Sequence, residues 1–143
     1  MKKIICLTLS LALVLSVFAV QDNTVSAKRV KKSGTYTTAT VKNTKNSGFS
    51  HPVIKKIVAK GNKITTYGSF WYGSKKLKKA KRTFKLASNC KFIYGAPPAA
   101  VKRVSKKYLI SHIKSNIRIN IYAEALEIYV KNGKVVKMRV LQG

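Results

Sequence analysis

The sequence predicts an α+β domain that is mostly β: a small, curved antiparallel sheet or OB-like barrel of six to seven strands, with one helix. Three observations carry that expectation. Short runs in which apolar and polar residues alternate recur along the chain, as where Ile117, Ile119 and Ile121 are set between Arg118, Asn120 and Tyr122. Gly61-Asn62 and Asn132-Gly133 stand between such runs, and tight hairpin turns favour residues that tolerate positive φ. A helical spacing of apolar residues, Leu109 and Ile113 with Ile110 beside them, occurs in one stretch only.

The elements follow in chain order. Gly34–Lys42 (GTYTTATVK) is rich in β-branched residues and reads as a strand with Tyr36 and Thr38 on one face. Asn43–Ser50 is turn material. Val53–Trp71 reads as a hairpin about Gly61-Asn62, with Pro52 marking its start and Gly61 suited to a type II′ turn. A two-residue loop sets Ala59 against Ile64, Ile57 against Thr66 and Val53 against Phe70. A basic run then bridges to a strand at Arg82–Leu86, and Ala87-Ser88-Asn89 turns into another at Cys90–Tyr94. Gly95-Ala96-Pro97-Pro98 breaks the pattern. Ser105 caps a helix over Lys106–Ser115, and the isoleucine alternation that follows reads as a strand. The last hairpin is expected to use a three-residue loop, Lys131-Asn132-Gly133. That loop puts Leu126, Ile128, Val130, Val136, Met138 and Val140 on one face and Glu127 opposite Lys137.

The N-terminus carries a targeting pattern. Lys2 and Lys3 precede an apolar run from Ile4 to Val20, roughly 17 residues and so at the lower limit for a membrane span. Small-residue cleavage signals follow at Val25-Ser26-Ala27 or, earlier, at Val17-Phe18-Ala19. The chain therefore reads as a signal peptide over 1–27, a mobile basic leader over 28–33 and one domain over 34–143, secreted to an extracellular or wall-associated location. The formal charge is +27, from 30 Lys and Arg against 3 acidic residues. Removing 1–27 takes away Lys2, Lys3 and Asp22, which leaves +26. Such a charge strains a compact fold by self-repulsion and draws polyanions.

Catalytic chemistry has little to work with here. Beyond the leader, His51, His112, Glu124, Glu127 and Cys90 are the candidate groups for acid, base or nucleophile. Glu124 and Glu127 lie three apart in a predicted strand and so face opposite ways, unlike the paired carboxylates of a glycosidase. A dyad of Cys90 with either histidine is the remaining constellation. No metal-spaced cluster, phosphate loop or dinucleotide fingerprint appears, and neither catalytic residues nor a cofactor is expected. Cys90 shares a face with Phe92 and Tyr94 and reads as a buried, inert thiol.

The segment Tyr67–Lys85 (YGSFWYGSKKLKKAKRTFK) is the densest functional signal. Trp71 and Tyr72 stand before Lys75, Lys76, Lys78, Lys79, Lys81, Arg82 and Lys85, with no acid among them. Rings beside cations suit an anionic polymer, whether a wall polymer of the teichoic acid type or a nucleic acid, and an anionic membrane surface is a third partner class. The same run also reads as a strand ending in a solvated turn. The words TYTTATV, KGNKITTYGSF, TFKLASNCKF, SKKYLISHIKS and LEIYVKNGKVVKMRV resemble small secreted β-domains of uncharacterised proteins from Gram-positive bacteria. KGNKITTYGSFWYG also resembles bacterial SH3 wall-binding modules, without their Asn-Val-Arg-Ser-Gly-Pro-like entry. The first resemblance implies a small barrel-like fold and no particular activity. Neither supplies site residues.

Overall fold

The computed structural model describes residues 26–40, 51–119 and 124–142. The targeting segment up to Val25 and the turn material at 43–50 lie outside the described residues. Eight strands and one helix follow one another: β1 (Lys28–Arg29), β2 (Gly34–Thr40), β3 (Val53–Lys60), β4 (Lys63–Tyr72), β5 (Lys75–Tyr94), β6 (Lys102–Arg103), α1 (Lys106–Ile119), β7 (Glu124–Lys131) and β8 (Lys134–Leu141). The fold is α+β and mostly β, as the alternation predicts. The sheet is mixed rather than antiparallel, because β1 on β5, β2 on β3 and β5 on β8 all pair in parallel. Its path runs β1-β5-β4-β3-β2-β7-β8, and β8 pairs back onto β5. Only Ala39↔Val53 and Thr40↔Ile54 join β2 to β3, so the result is a strongly curved sheet and not a clean barrel.

The first hairpin keeps its expected register where the turn sets it. Ala59 faces Ile64 and Ile57 faces Thr66, with Gly61 at φ 56. Further from the turn a bulge intervenes between Ile54 and Lys56, so Ile54 rather than Val53 comes opposite the end of the pairing, at Gly68. Gly68 is required there. A Cβ on it would lie 2.3 Å from the Val53 carbonyl oxygen, and its φ is 155.

The basic run is a strand, not a bridge. β5 continues through Lys75–Lys81 and through Ala87-Ser88-Asn89, where a turn was expected. The turn residues survive as an irregularity, a register shift between Leu86 and Lys91 in the ladder with β8. Packing explains the continuity. Phe84 and Leu86 are buried, Phe84 lies 5.8 Å from Phe70 and 5.6 Å from Tyr36 between ring centroids, and β5 is the floor that these rings share. The supposed mobile leader is likewise held. Lys28 and Arg29 pair with Arg82 and Thr83, and Val30 is buried with its amide donating to the Thr83 carbonyl at 2.9 Å.

Ser105 caps α1 as expected, its Oγ accepting from the Tyr108 amide at 3.1 Å. The helix runs past Ser115 to Ile119, over residues whose alternation predicts a strand. Leu109, Ile110 and Ile113 are buried in the core, and the apolar stripe continues to the half-buried Ile117. Burial of that stripe outweighs the local strand preference. The final hairpin also differs from expectation. Lys131 pairs with Lys134 across a two-residue loop in which Asn132 and Gly133 both have positive φ, and the bulge sits between Tyr129 and Val130 in the ladder. The inward residues are therefore Val135, Met138 and Val140, with Val136 displaced, and Glu127 faces Arg139 rather than Lys137.

Arg82 belongs to this core. It is 8% exposed and donates from Nη1 to the Gly68 carbonyl at 2.8 Å and from Nη2 to the Lys78 carbonyl at 2.7 Å, across a second bulge between β4 and β5. Burial lowers its pKa. Arg82→Ala strands these carbonyls, and we expect a loss of about 1–3 kcal/mol in urea unfolding. Arg82→Lys should recover little, since one ammonium does not reproduce the two-pronged reach of a guanidinium.

Candidate polyanion interface

Alternation sorts the hairpins β3–β4–β5 into an inner and an outer face. Inward go Ile57, Ile64 and Phe84. Outward go three cross-strand rows. Lys60 pairs with Lys63, which pairs with Lys85; Val58 pairs with Thr65, which pairs with Thr83; Lys56 pairs with Tyr67, which pairs with Lys81. Arg29 of β1 continues the middle row beside Thr83. Neighbouring strands lie about 4.8 Å apart, so each row brings its side chains into reach of one another. Like charges set directly opposite destabilise a sheet. Lys60, Lys63 and Lys85 form two such pairs, with no acid in any of the three rows. The rows flank an open depression of about 850 Å³.

Val58 and Tyr67, each 41% exposed, face outward beside the Thr65 and Thr83 hydroxyls, which are 3.0 Å apart. Lys79 Nζ lies over one face of the Tyr67 ring, 5.0 Å from its centroid. At the turn end, Lys106 of α1 donates from Nζ to the Gly61 carbonyl at 2.7 Å and adds its charge to that edge.

The structure divides the residues that the sequence groups together. Lys81 lines the depression, Lys85 stands beside Lys63 in the first row and Lys79 lies over Tyr67. Lys75, Lys76 and Lys78 are exposed further along β5, and Trp71, half-buried, sits opposite Lys76 and Thr37. Two members turn inward. Arg82 is the core arginine described above, and Tyr72 packs against Tyr36 with the ring planes tilted and the centroids 4.9 Å apart, donates to the Ser33 carbonyl at 2.6 Å and carries Lys32 Nζ 4.8 Å over its ring. Lys56, Lys60 and Lys63 are additions that a reading of consecutive charges misses. The hairpin register contained the signal, because a two-residue loop at Gly61-Asn62 already sets Lys60 opposite Lys63.

Glu124, His112 and Glu127, weighed above for catalysis, are engaged in two separate polar clusters. Glu124 Oε2 accepts from His112 Nε2 at 2.7 Å and from Asn116 Nδ2 at 3.3 Å, and Asn116 Nδ2 also reaches Thr40 Oγ1 at 2.7 Å. That knot ties α1 to the ends of β2 and β7, with the Tyr94 ring edge-on to His112 at 4.6 Å. Glu127, on the opposite face, accepts from Arg139 Nη2 at 2.6 Å and Nε at 2.9 Å and from the Tyr129 hydroxyl at 2.5 Å. Burial, then the neighbouring Glu127, pushes the Tyr129 pKa up, while the bond to Glu127 raises that of Arg139. Both carboxylates that follow the leader are thus engaged away from the depression. Among the described residues no group of three His, Cys, Asp or Glu is placed to hold a metal.

Cys90 packs half-buried against the core beside Phe92, its Sγ 3.9 Å from the Lys91 carbonyl oxygen, and burial pushes its pKa up to about 11. No family model, curated protein or solved structure matches this chain. The raised thiol pKa predicts slow alkylation of Cys90 in the native protein at pH 8, accelerating towards pH 11 and on unfolding in urea. The sign is that of a group held protonated by the fold. Its contribution to stability is whole below the ordinary thiol pKa of 9.0 and is lost as pH rises through about 11. Labelling followed by mass spectrometry reads the first effect, and urea midpoints from pH 8 to 11 read the second.

Proposed function

We propose that this protein is a secreted, non-enzymatic binding module that associates with anionic polymers of the cell wall through the outer face of β3–β4–β5. One observation carries the reading: the Lys60–Lys63–Lys85 row, in which like charges face one another across three strands with no acid to relieve them. A fold gains nothing from that arrangement. An anionic chain laid on it converts repulsion into attraction and releases counterions. The signal-like N-terminus and the +26 charge of the chain after Ala27 supply the rest of the argument.

Nucleic acid is the second reading. It is favoured by Trp71, half-buried beside Lys76 on the sheet's outer side, where a base has a ring to meet. A lipid surface finds less to hold. The apolar stripe of α1 is taken up by the core, and among the described residues no helix is long and apolar enough to cross a membrane.

The test is a salt series with purified wall polymer. Binding should weaken steeply as salt rises, and log K should fall by about 0.7 per log unit of salt for each phosphate contact with a single chain. Changing Lys60, Lys63 and Lys85 together to Gln should cut that slope by about 2. The same change should stabilise the protein to urea by up to about 1 kcal/mol, because two like-charge pairs vanish. Salt-independent binding, or an unchanged slope in the triple variant, would sink the proposal.

A further inference from the structure

The two outer cationic rows stand four residues apart on each of three strands, about 13 Å at the usual strand rise. Between them runs an uncharged row, Val58, Thr65 and Thr83, which ends at Arg29 of β1. We infer that the depression seats a single linear polyol-phosphate chain, lying across the strands along that uncharged row with lysines on either side. The inference rests on the polyanion reading above and adds to it a direction, a strand number and a chemistry.

Direction follows from the charge pattern. A chain laid along β3 or β5 would meet lysine, then an uncharged side chain, then lysine, and along β4 a single lysine before Thr65 and Tyr67. Laid across the strands it keeps Lys60, Lys63 and Lys85 on one flank for its whole length and Lys56 and Lys81 on the other, with Arg29 at its end. Strand number follows from the spacing, since the long lysine side chains reach into the interval from both rows and leave room for one chain.

Chemistry follows from the middle row and from the ring. Thr65 and Thr83 share one hydrogen bond, so whichever hydroxyl accepts keeps its own hydrogen for a phosphate oxygen or a polyol hydroxyl. Val58 offers apolar contact to a carbon backbone. Tyr67, the aromatic residue of the depression, has Lys79 over one face of its ring, and a base stacking on that face would first have to displace a cation. A polymer without rings needs no such displacement.

The probes are poly(glycerol phosphate) and oligo(dT) matched for charge, each titrated against the purified protein at several salt concentrations. Val58→Glu places a carboxylate in the path at an exposed position of β3, and Thr83→Glu does so on β5, two strands along the same row. Thr35→Glu, facing outward on β2, is the charge-matched control, and thermal melts establish that each variant folds. We expect Val58→Glu to weaken poly(glycerol phosphate) binding at least tenfold and Thr35→Glu no more than threefold. Oligo(dT) should bind more weakly than poly(glycerol phosphate), and Tyr67→Leu should not reverse that order. Equal losses from Val58→Glu and Thr35→Glu would overturn the seated chain while leaving diffuse polyanion binding intact. Tighter oligo(dT) binding that Tyr67→Leu removes would overturn the chemistry in favour of a nucleic acid. Failure of the unsubstituted protein to bind either probe at low salt would remove the binding reading itself.

Discussion

A single strand making two ladders holds this domain together. β5 pairs with β4 through Lys85 and with β8 from Leu86 onward, so the two groups of hairpins meet on one continuous backbone. The Phe84 ring sits near that handover, against Phe70 and Tyr36, and Arg82 binds the backbone just before it. Most other features follow from this arrangement. β1 has an edge to join, α1 has a core to cover, and the outer surface of β3–β4–β5 is bent into a depression instead of lying flat.

Charge is the second constraint, and the sheet handles it by alternation. Inward positions are almost wholly apolar, so the lysines of these strands crowd onto the outside, where each has water on one side and often a like neighbour on the other. Three devices soften that crowding. Lys32, Lys79 and Lys137 lie over tyrosine rings, the Lys106 ammonium meets a carbonyl, and Glu127 gathers Arg139 and Tyr129. None of them reaches the row of three lysines. That is why this row, rather than the longer run of consecutive basic residues, carries the proposed binding surface.

Much of the fold was legible from local chemistry. The Gly61-Asn62 turn, the register beside it, the Ser105 cap and the inward faces of β2 and β7 all follow from turn residues and alternation. What escaped the sequence is non-local. Lysine favours strands weakly, so the stretch from Lys75 to Lys81 looked like a linker, and only its pairing with Tyr67–Tyr72 makes it a strand. Bulges shifted Val53 and Val136 out of their expected places, because a slip costs one residue and the curved core decides where it falls. Ile117 and Ile119 alternate with polar residues as well in the last turn of a helix as in a strand. The candidate site was half legible. Its β5 members sit in a conspicuous run, whereas Lys56, Lys60 and Lys63 are scattered and become a site only when the hairpin folds.

The parallel pairing of β5 with β8 carries a kinetic meaning. Leu86 and Val135 meet from far apart in the chain, with α1 and β7 between them, and no local turn brings them together. Contacts of such long sequence separation form late and slowly, after the entropy of closing the intervening loop has been met. Until β8 has been synthesised, the second half of β5 has only a two-residue partner in β6, and the core beneath Phe92 stays open to water. The β5–β8 ladder therefore closes only after the final strand has been made, whereas the local hairpins β3–β4 and β4–β5 need nothing beyond Tyr94.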